Sequence, residues 1–270
     1  MPEPTTNLTN EQIESFHANG FLTLDAITTP DEVQRMRKIY DRLFKERVGW
    51  DKGTQFDLAG TDEDGQPRLP QLLAPSSFEP QLKDTLYRKN AQAMARQLLG
   101  PDMQDKVNEH MIYKPPHIGA ATPWHQDQAY HNPIHIARSV NFWMPLDDAT
   151  IESGCLQFVP GSHKLDQLPH HSIDHNPRIH GLEVDDPEQR AKTAVPCPIP
   201  AGGATLHASY MLHYAGPNNT DVPRRAYTLV FKRPPAERDV PVDNYWIRQR
   251  QTARDARAEA ASKEGKGARM

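Results

Sequence analysis

The second part of the chain is a succession of short segments in which apolar and polar residues alternate and turn residues mark the ends. The segments after residue 106 are VNEHMIYK, ARSVNFWMPL, CLQFV, TAVPCPI, GATLHA and RAYTLVFK. Alternation over such lengths is typical of strands in a β-sandwich or barrel. The 25 prolines are about double the usual share and are spread along the chain, which favours many short elements joined by fixed turns.

Helical patterns occupy the first hundred residues. LTNEQIESFHANG begins with a capping box at Thr9 and ends at Gly20, and TTPDEVQRMRKIYDRLF repeats the start signal at Thr29. A third helix is predicted over 78–100, whereas 48–76 has few periodic signals and is predicted to be loop. Helices followed by strands predict a mostly β fold with flanking helices packed on the outside of the core.

The composition argues against several classes of partner. The net charge is −4 with 24% charged residues, so the overall charge favours neither nucleic acid nor an anionic membrane. No run approaches about 18 consecutive apolar residues, and the N-terminus lacks the pattern of a signal peptide. With only Cys155 and Cys197, no disulfide framework is expected, and a reducing, cytoplasmic location fits. The oligomeric state is left open.

The stretch TPWHQDQAYHN is the first candidate for chemistry. In an extended segment, His125 and Asp127 point to the same side because strand side chains alternate. Two ligands of one metal need that placement. Taken alone, His-x-Asp is a weak signal, so a third ligand has to come from elsewhere in the chain.

Two downstream histidines compete for this third position. His207 and His213 lie six residues apart and would share one face of a continuous strand. We favour His213 because it stands just before the turn at 216–219, where a strand ends and a pocket can open. His207 is interpreted as a packed strand residue. Two histidines and one carboxylate leave one face of an Fe(II) ion open for substrate and dioxygen.

A pair of arginines follows this turn. Alternation places Arg224 on one face with Ala226 and Thr228, whose side chains are small, and places Arg225 on the other. An arginine can meet a carboxylate with two parallel hydrogen bonds. Without a metal site nearby, two solvated arginines at the start of a strand would be the favoured explanation of the pair. With the metal-ligand set, Arg224 is predicted to bind a carboxylate.

One domain is expected over 1–247, with a helical part over 1–100 and a strand core over about 105–235. Residues 248–270 have seven basic and three acidic side chains and are predicted to be a charged, flexible tail. The histidine-rich segment 164–192 is interpreted as a polar surface loop rather than a second metal site. A lid is the alternative, since long loops in compact domains are often functional.

Several stretches, in order and at similar spacing, resemble the phytanoyl-CoA dioxygenase family. They are LTNEQIESFHANGFLTLDAITTPDEV, KPP at 114–116, WHQDQAYH, DDATIESGCLQFVPGSH at 147–163 and HYAGPNNTDVPRRA at 213–226. The resemblance covers nearly the whole chain. It implies a double-stranded β-helix, that is, a cupin-like jelly roll, and an Fe(II)- and 2-oxoglutarate-dependent dioxygenase.

The resemblance also implies an iron site and a reaction. His125, Asp127 and His213 would hold Fe(II), and Arg224 would bind the C5 carboxylate of 2-oxoglutarate. The implied reaction hydroxylates a small organic or acyl substrate with O₂ and releases succinate and CO₂, with ascorbate as a stimulant. A halogenating relative would need a small residue in place of Asp127.

The family resemblance also implies three residues that line the cosubstrate pocket. Trp143, His110 and Gln71 fall where relatives line the cosubstrate pocket. Relatives often have serine two residues after the distal histidine, and this chain has Ala215, so one hydrogen bond to 2-oxoglutarate is lost or replaced.

Two other functions remain open on the residues alone. A jelly-roll metalloenzyme without an oxoacid, such as an isomerase or lyase, would use the same ligands, although Arg224 argues against it. A non-catalytic binding module could keep the fold, although intact ligands argue against that. No motif identifies the substrate.

Overall fold

The computed structural model describes residues 2–63 and 65–267. Within them the helices are α1 (Asn10–Asn19), α2 (Pro30–Lys45), α3 (Leu86–Leu99), α4 (Pro187–Arg190), α5 (Tyr245–Gln249) and α6 (Ala253–Gly267). The strands are β1 (Phe21–Leu24), β2 (Gln55–Asp57), β3 (Pro70–Leu73), β4 (Asn108–Lys114), β5 (Thr122–His125), β6 (His135–Ile136), β7 (Ser139–Pro145), β8 (Leu156–Phe158), β9 (His170–Ser172), β10 (Leu182–Val184), β11 (Val195–Cys197), β12 (Ala204–Ala208), β13 (His213–Ala215), β14 (Arg224–Lys232) and β15 (Ala236–Glu237). None of the helices in these residues has the length and apolar character needed to cross a membrane.

Two antiparallel sheets form the core. The larger sheet has the strand order β1-β12-β7-β14-β4-β3-β2, and the smaller has the order β11-β8-β13-β5. Trp143 and Ala226 of the larger sheet share one buried cluster with Leu156 and Phe158 of the smaller sheet. The sheets therefore pack against each other, and the predicted mostly β jelly roll with flanking helices is confirmed.

The helices cover the outer face of the larger sheet. Tyr40 and Leu43 of α2 and Met94 of α3 belong to the same buried cluster as Phe142 and Leu229 of the sheet. Alternation along β14 directs Leu229 outward to the helices and its neighbours inward. The inner face of the larger sheet is left to line a cavity.

Short-range signals define where the first helices begin and end. Thr9 caps α1 in a capping box with Gln12, and Gly20 ends the helix in the left-handed region at φ 87°. Thr29 caps α2 by accepting a hydrogen bond from the Glu32 backbone N–H. These local features confirm the predicted boundaries.

The third helix begins later than predicted. The sequence predicts a helix over 78–100, but α3 starts after Thr85, whose hydroxyl accepts from the Arg88 backbone N–H. The buried carboxylate of Glu32 accepts from the N–H groups of Leu86 and Tyr87 at 2.8 and 2.9 Å. A carboxylate from another helix thus satisfies the free donors at the start of α3, which no local pattern announces.

The segment 48–76 is not only loop as predicted. It contributes β2 and β3, which extend the larger sheet beyond β4. Both strands are too short for a periodic signal, and their stability comes from the pairing of β2 with β3 and of β3 with β4, and from burial of Phe56 and Leu72. The buried Asp57 carboxylate holds the intervening turn by accepting from the N–H groups of Arg68 and Leu69.

The C-terminal segment, predicted as a charged, flexible tail over 248–270, is helical over Ala253–Gly267, and residues 268–270 of that prediction lie outside the described residues. Arg254 of α6 donates to the Gly53 carbonyl at 2.9 Å, and its guanidinium lies 4.9 Å from the Phe56 ring centroid. Arg257 donates to the Trp50 carbonyl and pairs with Asp62 at 2.6 Å. Helix α6 therefore packs on the 50–62 segment, although its charged composition resembles that of a solvated helix.

We predict that Gly53→Ala loosens this packing. Gly53 has φ 65°, and a Cβ there would lie 2.5 Å from the Arg254 carbonyl oxygen. Gly161→Ala is the matched control because Gly161 has φ 78° but open space around it. We expect Gly161→Ala to lower the free energy of unfolding by about 1–2 kcal/mol from backbone strain alone. Gly53→Ala should lower it further and expose α6 to limited proteolysis; equal losses would contradict the packing.

Candidate active site

Three side chains that ligate metals meet at one end of the smaller sheet. His125 closes β5, His213 opens β13, and the antiparallel register pairs these two residues directly. Gln126 is extended, so Asp127 lies on the same side as His125. Asp127 Oδ1 is 3.6 Å from His125 Nε2 and 3.8 Å from His213 Nε2. One ligand atom from each of these three residues lies within 4.8 Å of the other two, which is close enough for all three to bind one metal ion.

Hydrogen bonds fix which nitrogen each histidine presents. His125 Nδ1 lies 2.7 Å from the Pro123 carbonyl, and His213 Nδ1 lies 2.9 Å from the Met211 carbonyl. A carbonyl oxygen accepts, so each Nδ1 carries the proton and donates it. Both Nε2 lone pairs are therefore free to bind a metal.

The second oxygen of Asp127 is occupied by protein donors. Asn141 Nδ2 donates to Oδ2, and His207 Nε2 lies 3.2 Å from the same oxygen. His207 and Asn141 are direct partners in β12 and β7. His207 is thus not one of the three candidate ligands, but it orients the carboxylate of Asp127, which is one of them. Sequence reasoning missed this contact, because it depends on the pairing of two strands that lie far apart in the chain.

The electrostatics keep Asp127 and His213 in their ligating forms. Burial raises the pKa of the Asp127 carboxyl, but the imidazoles of His213, His125 and His207 outweigh this effect and hold its pKa well below the usual value. Burial is also the main reason that the pKa of His213 lies well below its usual value. At neutral pH the site therefore offers the Asp127 carboxylate and the neutral His213 imidazole.

A cavity of about 540 Å³ opens from these three residues onto the inner face of the larger sheet. Directly paired residues in β7, β14 and β4 point to the same side, so Trp143, Thr228 and His110 form one row of its wall. Gln71 of β3 lies one row further along, opposite Ile112. All of these residues line the cavity. Burial lowers the pKa of His110 to about 4, so its imidazole is neutral at neutral pH.

Arg224 and Arg225 occupy opposite faces of β14. Arg224 lines the cavity with 1% of its surface exposed, and its guanidinium lies 5.2 Å from the Trp143 ring centroid. Among the described residues, its Nε and Nη1 have no hydrogen-bond partner. Arg225 instead pairs with Asp41 and Asp147, each at 2.7 Å. An unpartnered buried guanidinium is costly, so the cavity is built to receive an anion beside Arg224.

The histidine-rich segment 164–192 is more than the polar surface loop expected. His170 is fully buried and accepts from the Gln126 backbone N–H at 3.1 Å. His180 lines the cavity, where its ring stacks with Tyr130 at 5.9 Å and meets Phe56 edge-on at 4.9 Å. The expectation is wrong for His170, which is buried against Gln126 and Trp246, and for His180, which lines the cavity.

The donor set fits Fe(II) with a bound dicarboxylate. Two imidazole nitrogens and one carboxylate oxygen on one side of a cavity are the facial set that non-haem iron oxygenases use. The unpartnered Arg224 guanidinium suits the free carboxylate of an oxoacid. Fold and site together define a non-haem iron oxygenase of the jelly-roll type.

Comparison with known sequences gives the family. The sequence model of the phytanoyl-CoA dioxygenase (PhyH) family matches residues 16–226, and the chain belongs to this family. The predicted class, an Fe(II)- and 2-oxoglutarate-dependent oxygenase, is confirmed. Phytanoyl-CoA dioxygenase domain-containing protein 1 of Mus musculus is 26% identical over 264 residues, which cover 82% of this chain and 89% of the relative. A phytanoyl-CoA dioxygenase of Arabidopsis thaliana is 26% identical over 259 residues, with 83% and 89% covered.

Solved structures agree with this placement. EvdO2 from Micromonospora carbonacea var. aurantiaca, determined in complex with 2-oxoglutarate, is 38% identical. It superposes with a TM-score of 0.77 and covers 91% of this chain and 99% of its own. AviO1 from Streptomyces viridochromogenes Tue57 is 25% identical, with a TM-score of 0.59 over 86% of this chain and 97% of that protein.

We predict that metal affinity separates His213 from His207. His213→Ala removes a metal-ligand nitrogen and should weaken Mn(II) binding, measured by calorimetry, more than His207→Ala does. His207→Ala should weaken it by roughly 10–100-fold, because an orienting contact to Asp127 is lost. The exposed His117→Ala serves as control. If His213→Ala bound Mn(II) with near-normal affinity and His207→Ala did not bind it, His207 would be the ligand and His213 would not.

Proposed function

We propose that the protein hydroxylates a small organic or acyl substrate with Fe(II) held by His125, Asp127 and His213. The observation that carries this proposal is the unpartnered Arg224 guanidinium, which shares one cavity with the three ligand side chains. Bound Fe(II) and 2-oxoglutarate supply the activation of O₂ that inserts one oxygen atom into a substrate C–H bond and releases succinate and CO₂.

Arg224 binds the far carboxylate of 2-oxoglutarate in this proposal. EvdO2, which is 38% identical over nearly its full length, was solved with 2-oxoglutarate, and this supports the assignment. Trp143 holds the guanidinium by a cation–π contact from one side. Because Arg224 is buried, its charge is weakly screened and its attraction for a carboxylate is correspondingly strong.

Three wall residues complete the cosubstrate pocket that we propose. Trp143 and His110 lie in the same cavity-facing row, on either side of Thr228, and Gln71 offers a side-chain amide from β3. His110 is neutral at neutral pH, so it neither repels the metal nor competes with Arg224 for the anion. Ala215, which also lines the cavity, contributes no hydrogen bond from its side chain.

The carboxylate ligand favours hydroxylation over halogenation. Asp127 fills the position that a halide would otherwise take, and its Oδ2 is held by Asn141 and His207. An isomerase or lyase without an oxoacid would leave Arg224 buried without a counterion, which disfavours that alternative. A binding module would have no need for two ligating groups, Asp127 and His213, kept in their deprotonated forms.

The substrate enters the part of the cavity beyond the metal. Its wall there consists of Phe56, Tyr130 and His180, and the total volume suits a small molecule or the end of an acyl chain. The buried free thiols Cys155 and Cys197 fit a reducing, cytoplasmic location. Ascorbate is expected to sustain turnover by keeping the iron ferrous.

A metabolite screen for succinate release tests the proposed function. Protein loaded with Fe(II), ascorbate and O₂ should release succinate from 2-oxoglutarate, and candidate substrates should stimulate this release. His213→Ala provides the control without a complete metal site. Conversion of a substrate with 2-oxoglutarate left intact would instead support the isomerase or lyase alternative.

We predict that Arg224→Ala raises the Kd of the Mn(II)-loaded protein for 2-oxoglutarate by about ten- to a hundredfold, the usual effect of losing a charge-assisted hydrogen bond. Mn(II) affinity should change little, because Arg224 is not a ligand. Arg225→Ala is the matched control, since its partners are Asp41 and Asp147 on the other face. If Arg225→Ala weakened 2-oxoglutarate and Arg224→Ala did not, the assignment would be reversed.

A further inference from the structure

The KPP motif at 114–116 contains a lysine that the metal and cosubstrate assignments leave without a role. Lys114 ends β4 and is completely buried. A lysine is almost never fully buried without a partner charge, because its ammonium group loses hydration. In the part of the chain that the structure describes, no acidic side chain forms an ion pair with Lys114.

The contacts of Lys114 place its charge next to the site. Its Nζ donates to the carbonyl of Ala215 at 2.9 Å and to that of Gly216. Ala215 lines the cavity two residues after the metal ligand His213. The ammonium group therefore lies directly behind the backbone of the cavity wall.

Arg224 is the direct partner of Lys114 across β14 and β4. Directly paired residues of an antiparallel sheet point to the same side, so the two cations share the inner face. Arg224 is likewise without an acidic partner among the described residues, and its Nε and Nη1 are free. Burial lowers the pKa of Lys114 well below its usual value, and the neighbouring Arg224 guanidinium lowers it further. Two buried basic groups without an acidic partner favour an anion from outside the chain.

We propose that Lys114 is the second cation of the site for the far carboxylate of 2-oxoglutarate. Arg224 makes the direct contact, and Lys114 acts through its charge from behind the Ala215–Gly216 backbone. The inference rests on the proposed function, because it takes 2-oxoglutarate as the anion. It assigns to the lysine of KPP an electrostatic task that a purely structural lysine would not have.

The test removes the charge from the protein and, separately, the carboxylate from the ligand. Lys114→Met keeps the length of the side chain and deletes its charge, and Lys114→Gln keeps one amide group for the two carbonyls. The exposed Lys89→Met is the control for a lost surface charge. The probes are 2-oxoglutarate and 2-oxopentanoate, which has the same oxoacid end and no far carboxylate. Both are titrated into Mn(II)-loaded protein by calorimetry.

We expect both Lys114 variants to bind 2-oxoglutarate about tenfold more weakly, the scale for a charge lost near a buried anion. Their affinity for 2-oxopentanoate and for Mn(II) should stay within about twofold of the original protein. Lys89→Met should change neither ligand.

If the Lys114 variants bound both oxoacids equally more weakly, Lys114 would only support the turn after His213. If they bound 2-oxoglutarate with unchanged affinity, the charge of Lys114 would not contribute to binding. Either result overturns the inference. If Lys114→Met does not fold, Lys114→Gln decides by the same comparison. If the original protein binds 2-oxoglutarate no better than 2-oxopentanoate, the proposed role of Arg224 fails, and the inference about Lys114 fails with it.

Discussion

The pairing of β13 with β5 is the interaction on which the active site depends. Its register sets His213 directly opposite His125, although the two residues are far apart in the chain. A slip of one residue would turn His213 to the other face of the sheet and leave the candidate metal site with two ligand side chains. β13 also pairs with β8 on its other side, so the position of His213 is fixed from both directions. A shift in register between His213 and Ala215 lets the strand bend away at the edge of the cavity.

The charges inside the cavity explain why it is a site and not a packing defect. The cavity has an ionised carboxylate at Asp127 and a buried guanidinium at Arg224. The row of Trp143, Thr228 and His110, which carries no charge, also lines it. Burial lowers the pKa of Arg224 to about 10, so the group stays charged at neutral pH. The folded protein therefore bears the cost of an unpaired cation until an anion binds, and a carboxylate that enters offsets this cost.

Structures outside the two sheets hold the walls of the cavity. Glu32 of α2 caps α3, and this helix packs on the outer face of the strands that carry Trp143 and Arg224. Helix α6 packs behind Phe56, a residue of the cavity wall, from beyond the end of the family match at residue 226. The three candidate ligand residues thus lie within the family match, whereas the wall at Phe56 is supported by a segment outside the match. This difference fits enzymes that share one chemistry and differ in substrate.

The sequence by itself determined the features that depend on near neighbours. Helix starts at Thr9 and Thr29 follow from hydrogen bonds within one turn, and the strands after residue 106 follow from alternation. The His125–Asp127 spacing and the separation of Arg224 from Arg225 also follow from alternation, which needs no knowledge of distant residues. The family resemblance extended these local patterns to the class of enzyme.

Only the tertiary structure decided the features that depend on distant residues. The contact of His207 with Asp127 and the extension of the sheet by β2 and β3 arise from strand pairing across long intervals of sequence. The place of His180 in the cavity and the packing of α6 on the 50–62 segment have the same origin. Charged and polar composition indicated solvent exposure for these segments, but burial of a polar side chain is governed by the partners that folding brings to it. Those partners are set by long-range register and packing, which local sequence patterns do not encode.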